Sequence, residues 1–290
     1  MAGRVHRLLL GAERRLQRLP RWMAAHRPGV VEVVREPVTL VSQAGYRLQG
    51  CLHRPAQGSE RPRPAVLLCP GIDDSGGVFD GRGAPVSADE IARLGVHCMH
   101  FDPAGRGGSW GVEDFGGPEH QDDVATVLRY LAARPDVVAA RSGVVAISLG
   151  IAMAAGAMAR TGEGCRMGWL IDWEGPSDRE IITAGGRILL PAAGHGLDDE
   201  AWWRPREAVR HLGRIRCGYF RYQASLDHAQ PGELRHAKRM VRAAGEAELP
   251  WFQLNDHARN SVPERPVWYP PGQWTANRVI LAKIAEFAVL

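Results

Sequence analysis

From residue 31 onward the chain alternates short apolar runs with longer amphipathic ones. "VEVVREPVTLVS" and "YRLQGCLHRP" flank the turn "QAG" and predict a pair of strands. "PAVLLCPG" is an apolar run stopped by Pro70 and Gly71, a third strand. "SADEIARLG" opens on a capping serine and closes on glycine, the signature of a helix. The runs "VHCMHFD", "SGVVAIS", "CRMGWLIDWEG", "IRCGYFRYQASLD" and "PWFQLND" then read as strands. Between and after them lie the helical stretches "PEHQDDVATVLRYLAARP", 149–160, "GELRHAKRMVRAAG" and "TANRVILAKIAEFAV". This rhythm predicts an α/β chain: a mostly parallel, eight-stranded sheet with helices on both faces. Residues 177–213, with "LLPAAGHG" and the pair Trp202 and Trp203, break it and predict a small cap inserted in the domain.

Ahead of this domain, residues 1–28 set Val5, Leu8, Leu9 and Leu16 against an arginine-rich face, an amphipathic helix pattern ending near Pro20. The domain proper is expected over 29–290. The basic segment either docks on the body or touches an anionic membrane surface weakly. It also explains the net charge of +4: residues 1–30 hold seven arginines and one acid, whereas 31–290 hold 29 bases and 31 acids. A near-neutral body gives no reason to expect nucleic acid as a partner. The 290 residues, 45% hydrophobic and 23% charged, suffice for one large core. Five cysteines without a CxxC pattern predict reduced thiols and a cytoplasmic protein. The "LLL" near the start is too short for a signal h-region, and the apolar run 143–160 is broken by Gly143, Ser148, Gly150 and Gly156, so neither export nor a membrane span is expected.

The chemistry centres on "VVAISLGIAMAAGAMA". Ser148 is the lone hydroxyl where a buried strand turns straight into a buried helix, with small Ala146 and Gly150 two positions to either side. A sharp turn there exposes the hydroxyl at the carboxyl end of the sheet and aims the Leu149 N–H at a developing oxyanion. Here the chain resembles the α/β-hydrolase superfamily, whose nucleophile elbow reads G-x-S-x-G; this chain has A-I-S-L-G. The loop "VLLCPGIDDSGG" stands where that family places its second oxyanion donor, with Pro70 for the family's histidine and Ile72 as donor by position. "FDPAGRGGSWG" resembles the family's D-x-x-G-x-G-x-S stretch at Asp102, Gly105, Gly107 and Ser109, a structural element. The resemblance implies the chain order serine, acid, histidine, which Ser148, Asp227 of "YQASLDHAQPGE" and His257 of "LNDHARN" supply.

Alternatives stay open at each position. Ser148 can be a structural serine, Asp227 a helix-capping aspartate and His257 a loop histidine. Asp172 in "LIDWEGPSD" competes for the acid role; with Glu174 it otherwise forms a carboxylate pair at the pocket rim for a cationic substrate group, or caps the insertion. Trp202 and Trp203 either wall the substrate pocket or bury against the body. The groups His195, Asp198, Asp199 and His228, Glu233, His236 lack a complete metal-ligand pattern, so no metal is expected, and no dinucleotide or Walker A motif stands where its fold requires. The expectation is a cofactor-independent serine esterase that cleaves a small-molecule carboxylic ester or thioester. A peptidase or amidase, an acyltransferase, or a non-catalytic binding protein on the same fold are the alternatives.

Overall fold

The computed structural model describes residues 31–56, 61–81, 83–160, 167–184, 194–227 and 234–289. The basic segment 1–28, Cys165, and 185–193 of the insertion lie outside them. Eight strands form one sheet: β1 (Val33–Val41), β2 (Arg47–Pro55), β3 (Ala65–Cys69), β4 (His97–Phe101), β5 (Gly143–Ile147), β6 (Trp169–Trp173), β7 (Gly218–Tyr222) and β8 (Phe252–Leu254). Their order across the sheet is β1-β2-β4-β3-β5-β6-β7-β8. β1 and β2 form the expected hairpin, β2 runs antiparallel to β4, and the remaining pairs are parallel. Every residue of β3, β4, β6 and β7 is buried, as apolar strands covered on both faces require.

The helices are α1 (Ala88–Arg93), α2 (Pro118–Ala132), α3 (Gly150–Arg160), α4 (Arg179–Thr183), α5 (Glu200–Trp203), α6 (Ala208–Leu212), α7 (Arg235–Glu246) and α8 (Gln273–Val289). Ser87 caps α1 by accepting the Glu90 N–H, and Pro118 opens α2, where its missing N–H costs nothing. Apolar residues of α2, α3, α6 and α7 bury one face of the sheet, with Leu67, Val144, Ala146 and Leu170 at its centre. Residues of α1 and α8 bury the other face over Val66, Leu68, Val145 and Ile171. The four described cysteines, Cys51, Cys69, Cys98 and Cys217, are free thiols. None of the described helices is long and apolar enough to cross a membrane.

Between β6 and β7 the chain forms the short helices α4, α5 and α6; α6 packs Ala208 and Leu212 into the core under the sheet, so of the cap expected over 177–213 only the part with α4 and α5 lies against the amino end of α3. Trp203, 1% exposed, packs with Leu149, Ala152 and Ile182, and its indole donates to the Gly196 carbonyl at 2.9 Å. Arg206, which also donates to the Trp202 carbonyl within the same segment, ties it to the body through Asp114.

Candidate active site

The turn from β5 into α3 forces Ser148 into the left-handed region, at φ 52°. For a non-glycine residue this conformation costs on the order of 1–3 kcal/mol and persists only where the surroundings impose it. Here they do: the Ser148 N–H donates to the Trp173 carbonyl at 3.0 Å, and the Ser148 carbonyl accepts the Ile151 N–H at 3.1 Å. A side chain at Gly150 would put its Cβ 2.5 Å from the Pro70 oxygen and 2.8 Å from the Cys69 oxygen, so only glycine lets α3 start against the end of β3. Ala146, by contrast, is fully buried within the sheet, so a methyl is accommodated where the family motif has glycine.

The Ser148 hydroxyl is half-buried and makes no hydrogen bond among the described residues. A Cβ at Gly71 would lie 3.4 Å from the Ser148 Cβ, so the loop after β3 runs directly beside the hydroxyl. Among the described residues, neither the Ile72 nor the Leu149 N–H has an acceptor. Two unpaired donors beside an unpaired hydroxyl are what an oxyanion-binding arrangement requires. Arg106, buried to 6% exposure, fixes this loop by donating to the Gly71 carbonyl at 2.6 Å and the Asp74 carbonyl at 3.1 Å. Its Nε and Nη2 donate to the two Glu113 oxygens. Asp102 has the structural role expected of it, accepting the Gly76 and Gly108 N–H groups at 2.8 and 2.7 Å.

Asp227 and His257 follow β7 and β8, on the same carboxyl edge as Ser148. Each is engaged elsewhere. The His257 Nε2 accepts the Val267 N–H at 2.8 Å, which leaves Nδ1 as the protonated nitrogen of the neutral ring. Asp227, 1% exposed, accepts from the Gln223 amide at 2.9 Å and faces the His236 Nε2 at 3.2 Å. No hydrogen bond joins Ser148, His257 and Asp227 among the described contacts.

Asp227 belongs to a buried polar network that sequence reasoning missed. Asp172 lies opposite Arg221 in the β6–β7 register. Both are fully buried, and the carboxylate accepts from the Arg221 Nη1 at 2.7 Å, the Tyr219 hydroxyl at 2.6 Å and the Gly175 N–H at 2.9 Å. Arg221 also donates to the Gly175 carbonyl and the Gln223 side chain, and its Nη2 lies 3.2 Å from the His236 Nδ1. Glu174, at φ 52° and 4% exposed, accepts the Ala224 N–H at 2.8 Å. The rim position expected for Asp172 and Glu174 is thus not where they stand: both are drawn inside by donors on β7 and its following turn. The signal in the sequence was a charge as the fourth residue of each of two apolar runs, "WLIDW" and "GYFRY".

Trp202 and Trp203 meet the two oxyanion candidates in one apolar cluster with Leu149 and Ile72. Trp203 is its buried wedge. Trp202 is half-buried, stacked on the His195 ring at 4.4 Å between centroids, with the Arg206 guanidinium 4.2 Å from its ring.

No protein-family model and no curated relative matches the chain. Solved structures do. An esterase of Pyrococcus furiosus superposes with a TM-score of 0.62 at 14% identity, over 90% of this chain and 94% of that one. A prolyl oligopeptidase B of Galerina marginata gives 0.62 at 13% identity, and a puromycin hydrolase 0.61 at 15%. This chain spans only 36% and 40% of those two, while they cover 89% and 91% of it. Together with the strand order, these likenesses show the α/β-hydrolase fold.

Proposed function

We propose that the chain is a serine hydrolase that cleaves a carboxylic ester or thioester through an acyl-enzyme on Ser148. The observation that carries this reading is the left-handed Ser148, its hydroxyl unpaired beside the unpaired Ile72 and Leu149 N–H groups. The Ser148 oxygen attacks the acyl carbon as its proton passes to the His257 Nε2. The Ile72 and Leu149 N–H groups hold the resulting oxyanion, and the histidine proton leaves with the alcohol or thiol. Water, deprotonated by the same nitrogen, then releases the acid. Asp227 orients His257 and stabilises its cation. This requires the imidazole to exchange the Val267 N–H for the serine and Asp227 to turn from His236, a tightening on substrate binding that resting sites of this type commonly undergo. Asp172 has no such freedom, since three donors occupy its carboxylate.

The ester reading is supported by the Pyrococcus esterase, which matches this chain nearly end to end. The peptidase and hydrolase neighbours of greater length support amide cleavage as the second reading. The test is the intact mass after fluorophosphonate treatment: one adduct on the wild type, none on Ser148→Ala. Esters and amides of matched acyl groups then separate the two readings, and His257→Ala is expected to lower turnover by several orders of magnitude. A folded wild type without an adduct would put the non-catalytic binding protein first.

A further inference from the structure

A second cluster of reactive side chains lies two strands away from Ser148, where β2 and β4 pair. Cys51 stands opposite His100 in the register. Alternation along β2 puts His53 on the same face as Cys51. His53 is fully buried and His100 is 5% exposed. Their Nε2 atoms face each other at 3.1 Å, and one Asp80 oxygen lies 3.2 Å from His100 Nε2 and 3.3 Å from His53 Nε2. The ligand atoms of Cys51, His53 and His100 all lie within 4.8 Å of one another.

Three ligand-type atoms, the Nε2 of His53, the Nε2 of His100 and one Asp80 oxygen, stand within 3.3 Å of one another. The His53 Nδ1 lies 2.8 Å from Asp89, which leaves Nε2 as the nitrogen facing this centre. A cation at the centre converts the three converging lone pairs into ligands. The spacing fits: nitrogen and oxygen ligands about 2.0–2.1 Å from a tetrahedral zinc stand about 3.3–3.4 Å apart. The Asp89 carboxylate on His53 Nδ1, itself held by Arg35 at 2.6 Å, is the outer support that orients a metal-bound imidazole. Asp80, 39% exposed at its side chain, gives the ion an entry path.

We propose that Cys51, His53, Asp80 and His100 form a site for one zinc-class divalent transition-metal ion. Nitrogen, oxygen and thiolate donors together suit such an ion better than magnesium or calcium. The site is structural in place: Asp80 follows the turn Gly76–Phe79, which comes directly after the loop bearing Ile72, so the ion would pin that segment to β2 and β4. The ligands are contributed by β2, β4 and the turn before α1, which is why no short-range spacing reveals them.

Cobalt titration of the chelator-treated full chain tests this, independently of the proposed hydrolase activity. One cobalt per chain is expected, with the visible bands of a tetrahedral site, a thiolate charge-transfer band and displacement by zinc. Ser148→Ala should bind the ion as the wild type does. His53→Gln with His100→Gln should weaken binding by at least tenfold, as should Asp80→Asn if that double variant does not fold. Asp89→Asn should weaken it by about 10–100-fold. Folded wild type without saturable one-to-one binding, or unchanged affinity in the folded ligand variants, would overturn the site. A charge-transfer band that survives Cys51→Ser would remove Cys51 from it.

Discussion

Ser148 and Gly150 show how much of the elbow is imposed by single atoms. The left-handed backbone at Ser148 is a strain glycine does not feel. Ser148→Gly should therefore raise unfolding stability by about 1 kcal/mol in urea denaturation while abolishing fluorophosphonate labelling. An unchanged or lower stability would mean that the serine side chain holds the turn. Gly150→Ala should do the reverse. Its methyl would meet two backbone oxygens that cannot move without shifting β3, at an expected cost of about 1–3 kcal/mol by the same measurement. Beside them Arg106 satisfies two loop carbonyls at once, those of Gly71 and Asp74 on either side of Ile72.

Across β6 and β7, the charges of Asp172 and Arg221 are stable only as a pair, because each is removed from water by the strands that pair them. Asp172→Asn leaves the Arg221 cation buried without its counter-charge and should cost about 3–5 kcal/mol, seen as a lowered urea midpoint. A loss below 1 kcal/mol would mean that water reaches the arginine. This pair also marks the limit of what the sequence reveals. The eight strands were legible because fully buried parallel strands are written as apolar runs, and Ser148 because a lone hydroxyl between small residues interrupts one. The carboxylates at the end of β6 were legible as a strand-end pair, but their direction was not, since Arg221 and the Ala224 N–H come from the next strand and its turn. For the same reason, "CLH" and "HCMH" each read only as strand until the register sets Cys51 opposite His100. The partner of Asp227 was hidden likewise: His236 sits on α7, among residues whose pattern says only amphipathic helix.

At the scale of the whole molecule, a few buried polar ties lock the layers together, and one of them makes stability respond to pH. Asp123 on α2 is fully buried; it accepts the Tyr46 hydroxyl from the β1–β2 hairpin at 2.7 Å and the Ala104 N–H after β4 at 2.9 Å. Burial, the dominant cause, pushes its carboxyl up to about 6, against the hydrogen bonds that favour the anion. Between about pH 4 and pH 6 the unfolded chain has lost this proton while the folded chain keeps it, so the folded state binds more protons and stability falls as pH rises. The contribution is fully present below about pH 4, where both states are protonated, and is lost by the time the folded group ionises. The difference is up to about 3 kcal/mol. Other carboxylates titrate in the same window, so the measurement is a comparison: urea unfolding of wild type and Asp123→Asn at pH 4 and pH 6.5. The asparagine can still accept from Tyr46 but cannot ionise, so the wild type should lose more stability than the variant across that interval. Parallel losses would mean that Asp123 is already ionised at pH 4, and that the tie between hairpin, sheet and α2 is an anion held by its two donors.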